Sequence, residues 1–273
     1  MNFAPRRLIA GVAVIGIASA AVPGAAEAKK VPVVTVSGST SVAPLMTMLA
    51  REYLKTKRGK VRFKLAQGGS DVGIADVGAG RVTIGMSSRD PKSSDVGGIV
   101  FNKIAKDAIC IVTNPANPVA NLSQESIQGI FSGKIKDWSD VPGSNQSGTI
   151  DLVGRTAASG TQDAFQKIFM GSSSVTSSLA AKASNGLVQQ AVQTDKSAIG
   201  YVSLDFISGT SPAGYNGVAC NLRNAKSGEY GGVRNFWLVT RGAATGQAAS
   251  FIKWTQQNSK ARTIISKHWV PLS

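Results

Sequence analysis

From Val31 onward the sequence alternates between two hydrophobic periods, and this alternation limits the possible folds more than any other feature. "VPVVTVSG" is a continuous, mostly β-branched run, as in a strand buried on both faces. In the following "VAPLMTMLAREYL", Val42, Leu45, Met46, Leu49 and Tyr53 share one face at helical spacing. "VRFKLAQ" then alternates apolar and polar residues, "DVGIADVGAG" predicts a short helix, and "VTIGMSS" predicts a third strand. A β–α–β–α–β order of this kind builds a mostly parallel, doubly wound α/β sheet.

The strand "KDAICIVTNPANPV" runs into Asn-Pro turns, a place where a chain can leave one lobe for another. Beyond it, helices are expected in "LSQESIQGIFSG" (with Ser123 as N-cap), "GTQDAFQKIFM" and "LVQQAVQ". Strands are expected in "GTIDLVGR", "AIGYVSL", "GVAC" and "FWLVT", and helices over Gly246–Asn258 and Lys260–His268. Two α/β lobes account for this pattern. The expected division is a leader over 1–28, a first lobe over 29–113, a second over 114–200, and a return to the first over 201–273.

The leader reads as a secretory signal peptide. Arg6 and Arg7 precede an apolar run from Leu8 to Ala20, and Ala26-Glu27-Ala28 ends it as an A-x-A cleavage pattern. The run is too short to span a bilayer. The expectation is a periplasmic or secreted protein, cleaved near Ala28. In that setting Cys110 and Cys220, the only cysteines, allow a single bridge; two separately buried thiols are the alternative.

Thirty Lys and Arg stand against fifteen Asp and Glu, a net charge of +15 that attracts anions. The basic residues are scattered, and no zinc-finger spacing or aromatic-interleaved basic motif accompanies them, so nucleic acid is not the expected partner. No Walker-type glycine-lysine loop is present. His268 is the only histidine and no G-x-S-x-G elbow supplies a nucleophile, which argues against hydrolytic catalysis. Cys and His are too few for a zinc site, and no cofactor or metal is expected.

Three strand-to-helix junctions share one composition: Gly38-Ser39-Thr40-Ser41, Gly68-Gly69-Ser70-Asp71 and Ser159-Gly160-Thr161. The first turn of a helix offers unpaired N–H groups at a positive dipole end. Glycine lets a ligand approach that backbone, and hydroxyls add rotatable donors. Each junction alone can be an N-cap. Three together, with Arg155 at the end of a strand four residues before Ser159, suit an oxyanion.

The blocks "SGSTSVAPL", "GGSDVGI", "IGMSSR", "NLSQESIQGIFSGKIKDW", "GRTAASGTQDAF" and "SAIGYVSL", in this order, resemble the periplasmic phosphate-binding protein family, the solute receptors of phosphate ABC transporters. The resemblance covers nearly all of the chain after the leader. It implies a two-lobed type II periplasmic-binding-protein fold whose lobes close by hinge motion over inorganic phosphate, followed by docking on a membrane permease. A monomer is expected. By the same resemblance the ligand-binding residues fall on Ser39, Thr40, Ser41, Ser70, Ser88, Arg155, Ser159, Gly160 and Thr161. Longer members carry an aspartate that accepts the phosphate proton where this chain has Ser88, followed by Arg89. Asp71 and Asp163 are candidate replacements, and Arg89 a candidate second guanidinium. The alternatives are a receptor for sulfate, molybdate or tungstate, and a basic extracellular interaction protein on the same fold.

Overall fold

The structure is a computed structural model that describes residues 31–272; the expected leader lies outside the described residues. Strand β1 (Val33–Gly38) is followed by helix α1 (Ala43–Lys57), β2 (Arg62–Leu65), α2 (Ser70–Gly78) and β3 (Ile84–Ser87). β2 and β3 flank β1 in parallel, as the opening periodicity predicts. The long β4 (Ile99–Thr113) comes next, then the short β5 (Asn121–Leu122), α3 (Gln124–Phe131) and β6 (Asp151–Arg155). Ser123 caps α3 by accepting the Ser126 N–H. Helix α4 (Gly160–Phe165) continues into a π-helical turn over Gln166–Met170, followed by β7 (Ala180–Lys182), α5 (Asn185–Thr194) and β8 (Ala198–Ser203). Short strands β9 (Ser211–Pro212) and β10 (Gly214–Tyr215) precede α6 (Leu222–Ser227), β11 (Val233–Arg241), α7 (Gly246–Gln257) and α8 (Ser259–His268).

The main sheet runs β2-β1-β3-β11-β4-β8-β6-β7, with β9 also paired to β4. Its two wings are parallel triads, β2-β1-β3 and β8-β6-β7. Between them β4 and β11 run antiparallel to their neighbours. The sheet is therefore mixed at its centre rather than parallel throughout. β4 is long enough to serve both wings: residues up to Ala108 pair with β11, and Ile109–Thr113 pair with β8.

Two large hydrophobic cores follow from this layout. The first gathers Val34, Val36, Leu45, Leu49, Tyr53, Phe236, Phe251 and Trp269. The second gathers Ile109–Val112, Phe131, Trp138, Phe165, Phe169 and Tyr201. The expected return at residue 201 comes later. Tyr201, Val202, Tyr215, Cys220, Ala225 and Tyr230 all pack in the second core, and the first core resumes only with Phe236 on β11. The expected strand in "GVAC" is absent; Val218 makes one isolated bridge to Tyr215. Cys110 and Cys220 are bonded, with Cα atoms 5.6 Å apart, and the bridge lies within the second core.

A buried cage of hydroxyls and guanidiniums

Each of the three junctions folds as a strand end passing into a helix, and together they meet between the two cores. At the first, Gly38 has φ +127°, and a Cβ there would lie 2.4 Å from the Met86 carbonyl oxygen. Only glycine therefore lets the end of β1 lie this close to β3. Ser39 Oγ accepts the N–H groups of Ser41 and Val42, which orders the turn into α1. It also donates to Ser88 Oγ at 2.9 Å. At the second junction Ser70 is the first residue of α2, and its Oγ accepts the Ser88 N–H at 3.0 Å. Ser39, Ser70 and Ser88 thus form one hydroxyl cluster, fully buried.

The third junction supplies the facing wall. Thr161 Oγ1 lies 3.0 Å from Ser41 Oγ, a contact across the two cores. Gly160 sits closer still: a Cβ there would meet Ser70 Oγ at 2.3 Å, Ser88 Oγ at 2.8 Å and the Arg89 backbone N at 2.9 Å. Ser159 orders this wall, and its hydroxyl proton stays free to donate. Its Oγ caps α4 by accepting the Thr161 and Gln162 N–H groups.

Arg155, 3% exposed, spans the two walls. Its guanidinium donates to Thr40 Oγ1 at 3.1 Å and to Thr161 Oγ1 at 3.4 Å. Its Nε and Nη2 also donate to the carbonyls of Lys182 and Ala183, respectively. No carboxylate pairs with it among the described residues. Burial, with the repulsion of nearby Arg234, pushes its pKa down to about 10, so it stays charged at neutral pH.

Of the expected site residues, the structure brings together Ser39, Thr40, Ser41, Ser70, Ser88, Arg155, Gly160 and Thr161. The side chains of Asp71, Arg89 and Asp163 bond to one another or to neighbouring charged groups rather than to the cage hydroxyls, although the Arg89 backbone N lies at the wall against Gly160. Arg89 is buried, but its guanidinium pairs with Asp95 at 2.6 Å and Asp71 at 2.7 Å. Burial works against its charge, but those two carboxylates outweigh the cost and hold it protonated. Asp163 forms an ion pair with Lys92. Both candidate acids pair with cations.

Sequence reasoning missed three side chains. Arg234 on β11 donates to Thr161 Oγ1 at 2.8 Å and Ser41 Oγ at 2.9 Å. Asn185, at the start of α5, donates to Ser41 Oγ at 2.8 Å and Thr40 Oγ1 at 3.3 Å. Asp107 on β4 holds Arg234 through Oδ2, accepting from Nη2 at 2.9 Å and Nε at 3.1 Å. A signal was present for Arg234. In "VRNFWL" it occupies an inward position of an alternating strand, in phase with Phe236 and Leu238. A charge at such a position requires a partner. An unpaired buried guanidinium, a second one held by Asp107, and a ring of hydroxyl donors make the cage suited to a small oxyanion.

The family model of the PBP superfamily domain matches residues 23–259. The chain is 26% identical over 245 residues to the phosphate-binding protein PstS of Bacillus subtilis (strain 168), covering 88% of this chain and 80% of that protein. Among solved structures it is similar to a putative phosphate ABC transporter substrate-binding protein with bound phosphate from Clostridium perfringens. That match has a TM-score of 0.82 and 31% identity, over 88% of this chain and 100% of the other. An ABC-type phosphate transport receptor from Vibrio cholerae matches with a TM-score of 0.71 and 27% identity, again over 88% of this chain and 100% of the other.

Proposed function

This chain belongs to the PBP superfamily, and from that premise we propose that it is a receptor that holds inorganic phosphate in the buried cage for delivery to an ABC transporter. The observation that carries this reading is Arg155: a buried guanidinium with no carboxylate partner among the described residues, flanked by Thr40 and Thr161. A buried charge without a counter-ion is costly, and an oxyanion supplies both the charge and the acceptors. The B. subtilis and C. perfringens relatives, named for phosphate, support the choice of ligand.

In this proposal Ser39, Thr40, Ser41, Ser70, Ser88 and Thr161 replace the water around the oxyanion. Gly160 lets the two walls meet, and Ser159 holds Thr161 in place as a cap. The first lobe and the second move relative to one another about β4 and β11, the two strands that join the cores. Closure excludes water and strengthens each hydrogen bond to the ligand. The ligand is bound and released unchanged, so the protein is a receptor rather than an enzyme. It acts as an exported monomer, with its leader removed near Ala28, and its partners are phosphate and a membrane permease, not nucleic acid. No helix among the described residues is long and apolar enough to cross a membrane.

The test is a phosphate titration of the protein and of Arg155→Ala. The expected result is one phosphate per chain in the first and no measurable binding in the second. Full affinity in Arg155→Ala overturns the site. Binding to acidic polymers that survives this substitution, with no phosphate binding in either protein, favours a basic interaction surface instead.

A further inference from the structure

With Asp71 tied to Arg89 and Asp163 to Lys92, the carboxylate standing directly behind the cage is Asp107. It is 1% exposed and faces Arg234, 6% exposed, as a register partner across β4 and β11. One guanidinium nitrogen, Arg234 Nη2, joins Asp107 Oδ2 at 2.9 Å to Ser41 Oγ at 2.9 Å. The carboxylate is therefore one guanidinium away from the cage hydroxyls. Ser203 Oγ, at the end of β8, donates to the same Oδ2 at 2.8 Å. Oδ1, equally buried, has no hydrogen-bond partner among the described residues.

We infer that Asp107 sets the anion selectivity of the cage, by neutralising one of its two guanidiniums and so matching the closed site to an oxyanion that still carries a proton. The inference rests on the phosphate reading above and deepens it. Arg155 and Arg234 bring two positive charges to a region closed to water, and Asp107 removes one. In such a region an unmatched charge is felt far more strongly than at a surface. Hydrogen phosphate ions carry a proton and exist in a singly charged form. Sulfate at neutral pH is doubly charged and has no proton to offer. A buried carboxylate with a free oxygen this close to the cage disfavours the dianion on both counts. The other charged group acting on Asp107 is Asp205, in the turn after β8, itself 3.6 Å from His268 of α8. Burial raises the Asp107 pKa, with Arg234 and Ser203 opposing, and the same burial lowers that of Arg234.

The test is calorimetry of phosphate and sulfate with the full exported chain and with Asp107→Asn, which keeps shape and removes charge. The expected result is a phosphate-to-sulfate affinity ratio that falls at least about tenfold in the variant, the size of one charge–charge interaction across a short buried distance. If Asp107→Asn does not fold, Arg234→Gln carries the test. It leaves the Asp107 carboxylate without its cation, so it should bind both anions more weakly and sulfate more so, raising the phosphate-to-sulfate ratio. Loss of both affinities by the same factor in Asp107→Asn overturns the inference, because a mere brace for Arg234 would do that. An Arg234→Gln variant whose phosphate-to-sulfate ratio does not rise overturns it as well. If the unmodified protein binds no phosphate at all, the site reading fails first and this inference falls with it.

Discussion

Gly160 gives the sharpest test of closure. Its missing side chain lies against the opposite wall: a Cβ would meet Ser70 Oγ at 2.3 Å, Ser88 Oγ at 2.8 Å and the Arg89 backbone N at 2.9 Å. The serine hydroxyls can rotate away, but the backbone nitrogen cannot. Gly160→Ala therefore forces the two walls apart in the closed form and touches nothing once they separate. Overpacking of this kind costs about 1–3 kcal/mol. Assigned to closure, that is roughly a 5- to 150-fold loss of phosphate affinity. The stability of the ligand-free protein should move the other way, since alanine at the start of α4 is favoured over glycine by up to about 1 kcal/mol. Calorimetry gives the affinity and thermal unfolding without phosphate gives the stability. A variant that binds phosphate as tightly as the parent, or that loses affinity only in step with a lowered Tm, would refute the account of closure.

Two further outcomes are expected. The Cys110–Cys220 bridge closes a loop spanning a sequence separation of 110, worth up to about 5 kcal/mol by chain entropy. Its reduction should lower Tm by roughly 10–20 °C while phosphate still binds at room temperature, because the bridge lies inside one core; an unchanged Tm would count against this. At Asp95, burial raises the pKa, but the Arg89 guanidinium and the Lys92 N–H outweigh it and hold the carboxyl below its usual 3.8. A lowered folded pKa contributes stability above about pH 4 that is lost as pH falls through the folded value. Asp95→Asn should thus reduce stability at pH 7 by up to about 3 kcal/mol and flatten the acid limb of a Tm-against-pH curve; a parallel curve at all pH values would contradict the assignment.

The cage was legible in the sequence where its parts are local. Ser39, Thr40, Ser41 and Ser70 lie within a few residues of the strand ends that place them, and the glycines beside them mark the turns. Arg155 was legible for the same reason, as the last residue of β6. Asp107 and Asn185 were not, and Arg234 was legible only as a charge at an inward strand position, because each reaches the cage by tertiary packing from an element far along the chain. Asp107 stands inside a strand that otherwise reads as core, and Arg234 lies just before the expected strand "FWLVT", so periodicity alone assigned them no role. Asp71 and Asp163 were misplaced for a related reason. Sequence proximity puts both beside cage loops, but Arg89 and Lys92 claim their carboxylates across the fold. The boundary expected at residue 201 falls inside a single strand, β8. Its partners are β4 and β6, and the aromatic residues after it, Tyr215 and Tyr230, pack edge-to-face into the second core.

The central claim is that the buried cage holds phosphate, and calorimetric titration of the unmodified protein with phosphate and with sulfate at neutral pH tests it most directly. The account predicts one phosphate per chain and markedly weaker sulfate binding; sulfate bound as tightly as phosphate, or no phosphate bound, would contradict it.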